Sequence, residues 1–215
     1  MPQELPAKRP EDGFRGAEGG VPAIKRKILL IGSRQAADEG ESGEPLKNLI
    51  LCGFMGSGKT TVGRLLAQRL GLRFADTDEL IEEKEGRKIT AIFEESGEDY
   101  FRAREREVCA ELAQKSGLVV AAGGGALTFE ENAAALGRTG VIAFLDVSPE
   151  SVIERLKSDD TRPLLTGDRE KSVRALLAAR MPAYRRACHF AVNADNNPLQ
   201  IAKEIIEKYE SALKR

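Results

Sequence analysis

Short apolar runs alternate with amphipathic stretches through most of this chain. Five runs predict strands, at 48–52, 73–75, 118–122, 141–145 and 189–193. After the first, Val62, Leu65, Leu66, Arg69 and Leu70 form a stripe with helical spacing that stops at Gly71. Glu98 to Ala113 also reads as helix. Ser148-Pro149-Glu150 supplies an N-cap, a proline at the first helical position and an acid in the first turn. Thr128 and Glu131 have the spacing of a capping box. Pro198 opens a last amphipathic helix that ends near Leu213. Strands alternating with helices predict an α/β fold. Runs as apolar as Leu49-Ile50-Leu51-Cys52 suit a buried parallel sheet. Right-handed crossovers then place helices on both faces. No internal repeat interrupts the pattern.

Residues 1–46 depart from it. They are rich in Gly, Pro, Glu and Lys, and their apolar cluster is Ile28-Leu29-Leu30-Ile31, preceded by Lys25-Arg26-Lys27. That cluster is shorter than a secretory apolar region and starts too far from the N-terminus. Glu4, Glu11, Asp12 and Glu18 also argue against a transit peptide. The expected organisation is a disordered or flexible extension over 1–46 and one folded domain over 47–215. A partner-docking strand at 27–31 is the alternative reading of the cluster.

The charges balance, with 33 Lys plus Arg against 34 Asp plus Glu, which argues against a general nucleic-acid binder. No apolar run approaches the roughly 20 residues that span a membrane. Cys52, Cys109 and Cys188 are widely spaced and lack metal-ligand spacing, so reduced thiols in a cytoplasmic protein are expected. Balanced charge and a single domain fit a monomer.

Gly53 to Thr60 read GFMGSGKT and satisfy the phosphate-binding pattern G-x-x-x-x-G-K-[ST]. Gly53, Gly56 and Gly58 let the backbone wrap an anion with its N–H groups inward, and the following helix adds its positive end. Lys59 is placed to reach the β- and γ-phosphates, and the Thr60 hydroxyl to ligate magnesium. An apolar strand before the loop and a helix after it separate this motif from a glycine-rich surface turn.

Further residues narrow the chemistry. Asp76-Thr77-Asp78 stands at the carboxyl end of the second strand, where ligands bind in such sheets. One carboxylate can face the metal ion while the other orients an acceptor hydroxyl and takes its proton. Helix capping is the competing role for either aspartate. Arg102 and Glu105 lie one turn apart, with Phe93 and Phe101 as apolar walls, which suits an acceptor carrying a carboxylate. Gly123-Gly124-Gly125 at a strand end marks a close backbone approach or a plain strand-to-loop turn. Arg162, in a polar segment over 158–169, is placed either in a lid over the triphosphate or in an exposed linker. Arg180 stands at a helix end. His189, the one histidine, reads as structural, and Glu82-Glu83-Lys84-Glu85 as a solvated helix face.

With these segments in view, the chain resembles the shikimate kinases from about Leu46 onward. The matching pieces, in order, are GFMGSGKTTVGRLLA, DTD, FRAREREV, GGG, RPLL and RMPAY. The resemblance implies a P-loop NTPase-type, nucleoside monophosphate kinase-like fold. It would have a five-stranded parallel sheet in the order 2-3-1-4-5, helices on both faces and a mobile lid. It implies ATP-dependent phosphorylation of the 3-hydroxyl of shikimate on the way to chorismate and aromatic amino acids. Gly56, Ser57, Gly58, Lys59, Thr60 and Thr61 would hold ATP, with Arg155 near the adenine and Arg162 on the lid. Thr60 and Asp76 would organise Mg2+. Asp78 would bind the shikimate hydroxyls and act as base. Arg102, Arg180 and the Gly124 backbone would bind the rest of shikimate, with Glu105 holding Arg102. A kinase of another hydroxylated acid, such as gluconate, and a non-catalytic nucleotide-binding regulatory domain are the alternatives.

Overall fold

The computed structural model describes residues 46–157 and 169–214. The extension up to residue 45 and the expected lid around Arg162 lie outside the described residues.

Five strands form one parallel sheet: β1 (Asn48–Cys52), β2 (Arg73–Asp76), β3 (Leu118–Ala121), β4 (Gly140–Asp146) and β5 (Phe190–Asn193). Their spatial order is β2-β3-β1-β4-β5, as the family resemblance implied. β1 is central and wholly buried, flanked by β3 and β4 with Leu49 opposite Val119 and Val141. This explains why β1, β3 and most of β4 read as continuous apolar runs rather than alternating ones. The chain fills β2 and β3 on one side of β1 before crossing to β4 on the other, and the carboxyl ends of β1, β3 and β2 open onto one crevice.

The helices are α1 (Lys59–Leu70), α2 (Thr77–Glu85), α3 (Ile89–Leu112), α4 (Glu130–Thr139), α5 (Pro149–Leu156), α6 (Arg169–Ala187) and α7 (Pro198–Leu213). They cover both faces of the sheet. α1 packs on α7, and α3 and α6 pack on α4. Ser148 caps α5 by accepting from Ser151 N–H at 3.2 Å, as expected from Ser-Pro-Glu.

Two local expectations need correction. The Thr128–Glu131 capping box does not form. Thr128 closes a 3-10 turn by donating to the Gly125 carbonyl at 2.6 Å, α4 starts two residues later, and Glu131 pairs with Arg106 instead. The helix expected from Glu98 is present and runs to Leu112, preceded by a short helical stretch from Ile89 that ends at a break at Gly97, with φ 82° and ψ 174°. The acidic run in α2 is not merely a solvated face, since Glu82 accepts from the Ile89 N–H at 3.1 Å and so caps the first turn of α3. His189 precedes β5 rather than opening it. Its backbone N–H donates to Ile142 O at 2.8 Å, and its Nδ1 accepts from Ile142 N–H at 2.9 Å, a structural role as expected.

Candidate active site

The loop between β1 and α1 is built by its glycines. Gly53, Gly56 and Gly58 all have positive φ, at 147°, 74° and 91°. Ser57 N–H donates to Phe54 O at 3.2 Å and tightens the turn. Ser57 is buried, and its hydroxyl makes no hydrogen bond among the described residues. Gly58 stands at the N-cap of α1 and brings no side chain to it, so the first-turn N–H groups face the crevice. Lys59 Nζ lies across the loop and donates to Gly53 O and Phe54 O, each at 2.9 Å. Arg155 reaches over from α5, with Nη1 on Gly56 O and Nη2 on Ala194 O, both at 3.0 Å. It therefore ties the loop to the segment after β5.

Asp76 does two things at once. Its Oδ1 accepts from Asp78 N–H at 3.0 Å and caps α2, while its Oδ2 accepts from the Thr60 hydroxyl at 2.8 Å. Because a carboxylate has two oxygens, capping α2 with one leaves the other turned toward Thr60. Thr60 and Asp76 thus present hard oxygen donors side by side at the mouth of the loop, the donor type that Mg2+ takes.

Asp78 faces the other way. A Cβ built on Gly123 would lie 2.5 Å from Asp78 Oδ1, 3.0 Å from Glu105 Oε1 and 3.4 Å from Thr77 Oγ1. A side chain at position 123 would crowd the Asp78 and Glu105 carboxylates, and glycine avoids it. Thr77 is fully buried and accepts from Gly123 N–H at 2.7 Å.

Arg102 donates from Nη1 to Glu105 Oε2 at 2.8 Å and lies over the Phe101 and Phe129 rings, 5.1 and 5.4 Å from their centroids. Phe93 and Phe101 touch, with centroids 4.8 Å apart, and form the expected apolar wall. Burial alone would lower the Arg102 pKa, but Glu105 and Glu98 outweigh it and hold the guanidinium above its ordinary value. Glu105 is 1% exposed, and burial pushes its carboxyl upward despite the pull of Arg102, with Asp78 adding to the rise. Arg180 Nη1 donates to Gly124 O at 3.3 Å, and the Tyr184 hydroxyl donates to the same oxygen. Burial raises the Tyr184 pKa to about 12, so it remains a donor at neutral pH.

Two recesses result. One, of about 330 Å³, lies along the loop and reaches Lys59, Thr61, Arg155 and Asp78. The other, of about 530 Å³, is lined by Phe93, Phe101, Arg102, Glu105, Gly125 and Arg180. They share Met55, Thr60, Asp76, Asp78 and Gly124. A groove beside β2 is larger, at about 700 Å³, but no residue of the phosphate loop lines it. The chemistry therefore points to the smaller, joined pair. Every expected site residue among those described falls on these two recesses except Ser57, which is buried in the loop itself. Thr77, Glu98 and Tyr184 are contributors that sequence reasoning gave no role.

Comparison with known proteins agrees with this geometry. The family model described as shikimate kinase matches residues 55–210.

This chain belongs to the shikimate kinase family.

The shikimate kinase of Symbiobacterium thermophilum is 47% identical over 167 residues, which cover 76% of this chain and 96% of that protein. That of Sulfurihydrogenibium is 46% identical over 164 residues, 76% of this chain and 98% of that one. Among solved structures, the Acinetobacter baumannii shikimate kinase in complex with shikimate is 40% identical with a TM-score of 0.76, covering 80% of this chain and 97% of that one. A gluconokinase from Sinorhizobium meliloti, at 17% identity and a TM-score of 0.53, is similar in fold alone, covering 78% of this chain and 95% of its own.

Proposed function

We propose that this chain transfers the γ-phosphoryl group of ATP to the 3-hydroxyl of shikimate, giving shikimate 3-phosphate and ADP. The observation that carries the reading is the shared wall of the two recesses. Asp78 stands where a phosphate-binding loop meets a cleft with a half-buried arginine anchor.

Gly56, Ser57, Gly58, Lys59, Thr60 and Thr61 bind the triphosphate, with Arg155 on the adenine side and Arg162 over the transferred group. Thr60 and Asp76 hold Mg2+, which supplies charge neutralisation on the phosphates when bound. Arg102 and Arg180 bind the shikimate carboxylate, and Gly124 supports the ring. Asp78 orients the 3-hydroxyl and accepts its proton as the new O–P bond forms and the bond to the β-phosphate oxygen breaks. Glu105 holds Arg102. Catalysis of this kind is mostly positioning and electrostatics, which two fixed arginines and a fixed carboxylate provide.

Residues 47–215 act as the kinase domain, 1–46 as an extension to it, and the protein works as a cytoplasmic monomer with neither nucleic acid nor membrane as partner. Among the described residues no helix is long and apolar enough to cross a membrane. The test is to incubate the purified chain with ATP, Mg2+ and shikimate and to follow the product by 31P NMR. A new phosphomonoester on the 3-oxygen is expected, and an ATP signal that decays only to inorganic phosphate would overturn the reading.

A further inference from the structure

Arg102 meets carboxylates of its own chain in the cleft. Glu105 takes Nη1 at 2.8 Å, and one oxygen of Glu98 takes both Nε, at 3.2 Å, and Nη2, at 2.9 Å. The Nε–Nη2 edge is one of the two guanidinium forks that match a carboxylate in planar, bidentate fashion. The other edge faces backbone, since a Cβ built on Gly125 would lie 2.7 Å from Nη1 and 2.9 Å from Nη2. An incoming carboxylate therefore meets a fork that is already held.

The two holders differ. Glu105 is 1% exposed and enclosed in the core of the site, whereas Glu98 is 53% exposed. Glu98 also follows directly on Gly97, the break in α3 with φ 82°. It can swing to water without unburying anything, and Glu105 cannot.

We propose that Glu98 is a placeholder carboxylate. It occupies the Arg102 fork and yields it to the carboxylate of the acceptor. The affinity and the carboxylate selectivity of the site are then set by an exchange of one ion pair for another. A half-buried arginine is kept paired at all times, and a ligand without a carboxylate gains nothing from displacing Glu98. This inference rests on the acceptor reading given above.

The test is equilibrium dialysis of the full chain against radiolabelled shikimate and against the same cyclohexene triol lacking the carboxylate. Wild type is compared with Glu98→Ala and Glu98→Gln. An exposed ion pair of this kind corresponds to about a two- to fivefold change in an equilibrium constant. Shikimate is expected to bind about two- to fivefold more tightly to Glu98→Ala, and in the same direction to Glu98→Gln, with no change for the triol. Unchanged or weaker shikimate binding by Glu98→Ala, or a parallel change for both ligands, would make Glu98 a prop for Arg102 and overturn the proposal. Wild type that binds shikimate while Glu98→Ala gains nothing sinks this inference alone. Wild type that does not bind shikimate sinks the acceptor reading with it.

Discussion

Thr77 Oγ1 accepts the Gly123 N–H at 2.7 Å and joins the end of β2 to the turn after β3. The bond spans 46 positions of sequence and sits between the two aspartates of the D-T-D motif. It ties the carboxylate cluster of Asp76 and Asp78 to the glycine backbone beside the Arg102 cleft. Thr77→Val keeps the shape and removes the acceptor, leaving a buried N–H without its partner at a cost of about 1–3 kcal/mol. Thr77→Ser restores the oxygen. Chemical denaturation is expected to place Ser near wild type and Val well below it. Equal stability for Val and Ser would remove this bond from the account.

Asp78 is expected to carry the proton transfer. A positioned general base contributes about 100-fold or more to rate. Asp78→Asn should therefore lower kcat by that order while ATP affinity stays close to wild type. A kcat within a few-fold of wild type would exclude Asp78 from the base role.

Glu105 makes the stability depend on pH in a defined sense. Burial holds its folded-state pKa above the ordinary carboxylate value, so the folded protein binds this proton more tightly than the unfolded chain. Below the unfolded value, about 4.3, the site costs nothing. As pH rises from there through the folded value, the penalty for ionising a buried group develops and stability falls. Glu105→Gln has no such titration. Denaturation measured from about pH 4 to 8 should show wild type losing stability relative to Glu105→Gln as pH rises. A difference that stays constant across that range would contradict the assigned burial cost. The offset between the two proteins is not the readout, because Gln also removes one of the two charged partners of Arg102.

Much of this architecture was legible in the sequence, for identifiable reasons. β1 and β3 are buried on both faces and therefore read as unbroken apolar runs. The phosphate loop needs glycines at fixed positions, so its spacing is visible. Arg102 and Glu105 are neighbours on one helix turn, and helical spacing alone brings them together. What was not legible depends on partners distant in the chain. The Thr77–Gly123 bond, the Tyr184 hydroxyl on Gly124 and the span of Arg155 from Gly56 to Ala194 all join separate elements. The failed capping box has a local cause, because Thr128 belongs to the 3-10 turn over Ala126–Thr128 and α4 starts only at Glu130. The short helical stretch from Ile89 went unread because Gly97, at φ 82° and ψ 174°, ends it and separates it from the longer helix that follows.

The central claim is the choice of acceptor, and a competition assay tests it most directly. The purified chain is given ATP and Mg2+ with shikimate, quinate and gluconate together, and the phosphorylated products are separated by mass. A cleft anchored by Arg102 and Arg180 beside Asp78 predicts that shikimate 3-phosphate dominates. Phosphorylation of gluconate or quinate in preference to shikimate, or ATP binding with no product from any of the three, would contradict it.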